Sequence, residues 1–251
     1  MPIKETTVVN GLRFCNILRI RFLTEGYPSV KNLLDNGALM VVPSAPVLST
    51  ISKDAEHHLA LMKSDFAIPD SGLLILLLKY FKRIKIGKLS GLTFLRHFLE
   101  EEILRKERCL FLVDPEEKEM MLNHTLLKSM GILISLSDHY VAPIYSSKNI
   151  EDPELLETLE KRKPKYVLIN LGGGIQEKLG FYLKSNLSFK TGIICTGAAI
   201  AFLTGKQASI PSIFDAFHLG WLLRCIHDPR RFVPRYLKGL ALIPLILKEV
   251  R

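Results

Sequence analysis

Much that would mark a small secreted or metal-dependent protein is missing from this chain. Its 251 residues hold four cysteines, Cys15, Cys109, Cys195 and Cys225, far apart and with no C-x-x-C pair. Two of them sit inside the apolar runs CLFLV and GIICTG. Buried reduced thiols in a cytosolic compartment are therefore expected, rather than disulfides. The amino terminus, MPIKETTVVNGLRF, lacks the apolar stretch of a secretory signal. No window of ~18 uncharged apolar residues offers a transmembrane helix. Neither G-x-G-x-x-G nor a P-loop occurs, and there are no repeats or low-complexity tracts. His57-His58 has no partner at metal spacing. The pair reads as solvated or partly buried, and no metal or other cofactor is expected.

What is present describes a folded, basic protein. At 48% hydrophobic and 24% charged residues the chain can bury a sizeable core. A net charge of +9 points to an anionic partner: nucleic acid, phospholipid or a diphosphate-bearing substrate. Nucleic acid is disfavoured, because no binding module occurs and the basic residues cluster with aliphatic ones.

Short apolar runs alternate with helical patterns. Strands are expected at Ala38–Ser44, Asp65–Asp70, Cys109–Asp114, Ile132–Ser135, Lys165–Asn170 and Thr191–Thr196. Helices are expected between them, at 46–63, 72–80, 89–106, 115–130, 152–161, 176–185 and from Ala198. Continuous Val/Ile/Leu strands separated by helices indicate an α/β fold: a mostly parallel, Rossmann-like sheet with helices on both faces. After Gly205 no further strand is evident. The division expected is residues 1–205 as the α/β catalytic domain and 206–251 as a basic helical appendage.

In an open parallel sheet the ligand sits beyond the carboxyl ends of the strands. Ser44, Asp70, Asp114, Gly172–Gly174 and Thr196–Gly197 stand at those ends. Asp70 can take a proton from an attacking hydroxyl, or cap the following helix. The loop Gly172-Gly173-Gly174 can let a backbone approach a phosphate at a helix N-terminus, or be a tight turn. Thr196-Gly197-Ala198 is similar. From Arg224 to Arg251 there are seven basic residues against two acidic, beside Trp221, Phe232, Tyr236 and the apolar run Leu240–Leu247. That mixture suits an anionic membrane boundary or diphosphate recognition, and equally a packed terminal helix with a solvated basic side.

From Leu39 to Tyr236 these segments, in order and spacing, resemble the WecG/TagA/CpsF glycosyltransferase family. Pro69-Asp70-Ser71-Gly72 is similar to its PDG segment, and Lys88 to the basic residue before its V-x-G. Gly172 to Lys178 is similar to G-x-P-[KR]-Q-E-K, and Gly197 to Gly205 to G-[AG]-x-x-D-F-x-x-G. Trp221, Arg224, Pro229, Arg231, Arg235 and Tyr236 match the basic ending. The resemblance implies a bacterial cell-envelope polysaccharide enzyme. It would transfer an N-acetylmannosamine-type sugar from UDP to a polyprenyl-diphosphate-linked acceptor, at the inner face of the membrane and without a metal. It implies Asp70 as base, and Gln176, Glu177, the glycine loop and Thr196–Ala198 at the nucleotide, where the strand-end Ser44 is expected as well. Lys88, Arg224, Arg231 and Arg235 would serve the diphosphates or the membrane. Homo-oligomerisation stays open.

The sequence departs from that pattern at Val42 and Ser44, where the family has T-x-N, and at Thr93, Gly174, Ile175, Ala201 and Gly220. An altered sugar donor is the favoured consequence. The alternative is a weakened or inactive protein that binds a nucleotide sugar or lipid diphosphate on the same scaffold.

Overall fold

A computed structural model describes residues 6–84, 86–87, 89–106, 109–146, 148, 150–205 and 229–248. Nine strands form one sheet in the order β1-β2-β3-β5-β4-β9-β8-β6-β7. The first three, β1 (Thr6–Val9), β2 (Leu12–Ile17) and β3 (Ile20–Leu23), form an antiparallel meander at one edge. Asn10-Gly11, both at positive φ, close its first turn, the arrangement favoured in a two-residue hairpin. Leu18 and Arg19 close the second with φ of 53° and 63°.

The other strands are parallel: β4 (Leu39–Val41), β5 (Phe66–Ala67), β6 (Leu110–Asp114), β7 (His139–Val141), β8 (Tyr166–Ile169) and β9 (Gly192–Cys195). Every residue of β4, β5, β6, β8 and β9 is buried. Their continuous apolar sequence thus reflects cover on both faces. One face packs Val41, Val113, Val167 and Ile193 with Leu179 and Leu183 of α8 (Ile175–Asn186). The opposite face packs Met40, Leu112, Leu168 and Ile194 with Leu34 of α1 (Tyr27–Asp35) and Phe94 and Phe98 of α5 (Gly91–Leu99).

The expected strand at Ile132–Ser135 is not there. That stretch is irregular, and a 3-10 turn at Leu136–Asp138, with its capping box from Ser135 to Asp138, leads into β7 instead. The expected helix over 46–63 is divided into α2 (Ala45–Leu48), a 3-10 turn and α3 (Ala55–Lys63), which Asp54 caps. Between the strands also lie α4 (Gly72–Leu77), α6 (Glu117–Ser129) and α7 (Pro153–Arg162), and α9 (Ala199–Leu203) follows β9.

After the gap in description come α10 (Pro229–Gly239) and α11 (Leu242–Lys248). Leu242 and Ile246 are fully buried members of the same core as Leu74, Leu77 and Leu78. Gly239 lies close against Leu73 and Pro46.

Order reverses at β4: the chain goes from it to β5 on one side, and β6 to β9 fill the other. Such a switch leaves a crevice beyond the carboxyl ends of the central strands.

Candidate functional site

That crevice holds a cleft of about 460 Å³. It is lined by Ser44 after β4, Asp70 after β5, Asn170–Gly173 after β8, and Thr196–Ala199 after β9. Gln176 and Glu177 of α8 contribute as well. Strand ends far apart in sequence thus converge, and among them are Asp70, Ser44, Gly172, Gly173, Gln176, Glu177, Thr196, Gly197 and Ala198, all expected at the site. Gly174 completes its loop. Lys88 and Arg224 lie outside the described residues, as do Trp221, Gly220 and Cys225. Arg231 and Arg235 fall within α10, and their side chains are not described.

Asp70 does not cap the helix that follows it. Ser71 does, its hydroxyl accepting from the Leu74 N–H at 3.3 Å. The Asp70 carboxylate instead accepts the Gly91 N–H at 2.9 Å through Oδ1. Gly91 opens α5, whose cap is Ser90. The hydrogen bond fixes the half-buried carboxylate at the cleft and ties β5 to the start of α5. Val42 lies behind that junction: a Cβ on Gly91 would approach its Cγ1 to 3.2 Å. An apolar residue at position 42 therefore supports the backbone that holds Asp70.

The two glycine-bearing loops are stitched together from below. Gln176 Oε1 accepts the Gly197 N–H at 2.7 Å, and Gln176 Nε2 donates to Glu177 Oε1 at 3.0 Å. Glu177 Oε2 accepts the Gly174 N–H at 2.6 Å. Two backbone donors that face the loops are thus engaged by side chains of α8. Gly174 has φ +96°, a conformation closed to proline and strained for other L-residues. Gly173 is glycine for another reason, since a Cβ there would meet Val47 Cγ2 at 2.8 Å.

Glu177 is fully buried, and burial pushes its carboxyl above the usual range. His57 Nε2 stands 3.6 Å from Glu177 Oε2. Burial holds that imidazole down to about 4, against a smaller upward pull from Asp54, so it is neutral at pH 7. The His57-His58 pair is thus one buried and one half-buried residue. Among the described residues no group of three His, Cys, Asp or Glu side chains could hold a metal. Cys15, Cys109 and Cys195 are buried thiols, as the apolar runs suggested for the latter two.

Asn170, expected only as the end of a strand, is part of the lining, and so is Val47. A polar residue closing an apolar strand at the carboxyl edge was the available signal for Asn170. Val47 carries none.

A comparison with curated proteins finds no match. The profile of the Glycosyl transferase WecG/TagA/CpsF family matches residues 16–251, from β2 to the carboxyl end. This match takes in every strand-end segment that meets at the cleft, and the chain belongs to the WecG/TagA/CpsF glycosyltransferase family.

Proposed function

We propose that this protein is an inverting glycosyltransferase that uses a UDP-sugar donor and a lipid-diphosphate-linked acceptor. The observation that carries the reading is the meeting of Asp70 and two glycine-bearing loops in one cleft of about 460 Å³. Such a volume falls within the ~300–1,000 Å³ of small-molecule sites. Asp70 takes the proton of the acceptor hydroxyl as that oxygen attacks the anomeric carbon. The bond from that carbon to the UDP oxygen breaks as the new one forms, so the configuration inverts and UDP leaves with the electron pair.

The loops at Gly172–Gly174 and Gly197–Ala198, held by Gln176 and Glu177, seat the nucleotide with Ser44 and Thr196. Lys88, Arg224, Arg231 and Arg235 offset the negative charge of the diphosphates, the role arginine fills well in phosphate recognition.

The partner surface is an anionic membrane. No helix among the described residues is long and apolar enough to cross one. In α10, however, Val233 and Leu237 are exposed four residues apart, Leu240 follows, and Arg230 and Lys238 are exposed beside them. An apolar stripe flanked by cations suits peripheral attachment. Within this reading residues 206–251 form the membrane-facing part, and 1–205 the catalytic part.

A thermal-shift screen of the whole chain against UDP, UDP-sugars and other nucleotides tests the proposal, because a specific ligand raises the unfolding temperature. UDP and at least one UDP-sugar should stabilise the protein. Stabilisation by none of them would remove the nucleotide-sugar reading.

A further inference from the structure

Three buried polar atoms at the carboxyl edge of the sheet have no hydrogen-bond partner among the described residues: Ser44 Oγ, Asn170 Oδ1 and Thr196 Oγ1. All three residues line the cleft, and they follow three adjacent strands, β4, β8 and β9. A buried polar group left unpaired is costly, so three of them lining one cleft call for a partner that completes them.

Asn170 is the most constrained of the three. It is 5% exposed, and its amide nitrogen donates to Asp114 Oδ1 at 2.8 Å. Asp114 is fully buried and is held from the other sides as well. Its Oδ1 also accepts from Asn123 Nδ2 at 2.7 Å, and its Oδ2 meets His139 Nδ1 at 2.8 Å. His139 Nε2 in turn meets His124 Nδ1 at 3.3 Å. Turning the Asn170 amide over would set its carbonyl oxygen against the Asp114 carboxylate. The amide is therefore locked, and the atom left without a partner is an acceptor only.

Thr196 is its neighbour across the sheet. Ile169 pairs with Cys195, so Asn170 and Thr196 are the next residues on two parallel strands, ~4.8 Å apart. The threonine hydroxyl can donate or accept. Other lining residues, Val42, Val47, Leu92, Ala201 and Phe202, are apolar. Ser44, Asp70, Glu119, Gln176 and Glu177 add polar lining elsewhere, and Asn170 and Thr196 supply it at the β8–β9 rim.

We propose that Asn170 is a specificity-determining residue for the sugar nucleotide: its Oδ1 accepts from an N–H or O–H of the ligand, while Thr196 bonds an adjacent polar atom. Asp114 is the positioning residue that keeps the amide turned this way. The inference rests on the nucleotide-sugar reading above and adds the selection rule. A ligand with an acceptor at this point meets a like group and is rejected, as in sites built to read one hydrogen bond. The N–H or O–H can come from the uridine part or from the transferred sugar, and the test separates them.

The experiment is isothermal titration of the full chain with UDP and with the best-bound UDP-sugar of the screen, for the unmodified protein, Asn170→Ala, Asn170→Leu and Thr196→Val. Each substitution should weaken binding of the UDP-sugar about tenfold, the loss expected for one buried hydrogen bond. An equal loss for UDP alone assigns the contact to the uridine part; a loss confined to the UDP-sugar assigns it to the transferred sugar. Either supports the proposal. Asn170 variants that stay folded and bind within twofold of the unmodified chain would overturn it. If those variants do not fold, Thr196→Val leaves the Asp114 network intact and decides alone, with binding within twofold again overturning the pairing.

For the positioning role, Asp114→Asn should weaken the UDP-sugar less in an Asn170→Ala background than in the unmodified chain. Strictly additive losses would reduce Asp114 to a structural residue. Failure of the unmodified chain to bind either probe overturns the nucleotide-sugar reading itself, and this assignment with it.

Discussion

The carboxylate of Asp70 and the backbone N–H of Gly91 are joined by a hydrogen bond of 2.9 Å, which holds a candidate base at the start of a helix on the far side of a long excursion of chain. Asparagine can accept the same hydrogen bond through its amide oxygen but cannot take a proton. Asp70→Asn should therefore keep UDP binding near that of the unmodified chain while lowering transfer by ~10²–10⁴-fold, the usual contribution of a general base. Transfer rates and UDP affinity measured side by side check this. Undiminished transfer would assign the proton to another group.

Gly174→Pro restores the residue that the family pattern carries in this loop, yet it should be harmful here. Proline is held near φ −65°, whereas Gly174 sits at +96°. Proline also removes the N–H that Glu177 accepts at 2.6 Å, leaving a buried carboxylate short of a donor. A loss of ~3 kcal/mol or more is expected in denaturant unfolding. A stable variant would mean that the loop can take a second path.

Most of the central sheet was legible because its strands are buried on both faces and so read as unbroken apolar runs. The meander was not: Leu12–Ile17 mixes exposed, half-buried and buried positions, and its second turn uses Leu18 and Arg19, neither a usual turn residue. Within it only Asn10-Gly11 carries a hairpin signal. Ile132–Ser135 reads as a strand because Ile132 and Ile134 are apolar and buried, but they pack into the core from an irregular segment. At the site, strand ends gave away Asp70, Ser44 and Thr196. What sequence could not give was direction. Ser71 rather than Asp70 is the cap, and the donors at Gly174 and Gly197 are already occupied, because those facts depend on partners far along the chain.

Gln176→Ala tests the stitching of the two loops. The glutamine is 3% exposed, bonds Gly197 N and donates to Glu177, so its removal leaves buried groups unpaired. Stability should fall by ~1–3 kcal/mol. Nucleotide affinity should fall as well, because both loops lose a common anchor. A weakened fold with unchanged affinity would confine Gln176 to a structural role.

His57 gives the fold an acid-sensitive component. Folded, it takes a proton only near pH 4, whereas its ordinary value is 6.5. Between these values the unfolded chain binds more protons, so this contribution to stability falls as pH drops from 6.5 toward 4. The groups around it are Asp54, His58, Glu177 and Lys178. Glu177 acts oppositely: its raised value means that stability is lost as pH climbs through it. Unfolding temperatures measured across this range should decline less steeply in His57→Gln than in the unmodified chain. Parallel curves would show that His57 does not titrate between these limits.

Attachment to a membrane is best tested on the exposed stripe of α10 rather than by truncation. Deleting the carboxyl-terminal segment would remove Leu242 and Ile246 from the core and confuse unfolding with release. Val233 and Leu237 are 37% and 60% exposed, so a charged substitution there costs the fold little. Sedimentation with phosphatidylglycerol vesicles should show Leu237→Glu and Val233→Glu each weakening binding about tenfold, since burying such side chains contributes ~1.5–3 kcal/mol. Added salt should weaken what remains, because the flanking cations act through a screened interaction. Unchanged vesicle binding in both variants would place the membrane contact on another surface, while loss of binding with a normal unfolding temperature would fix it on α10.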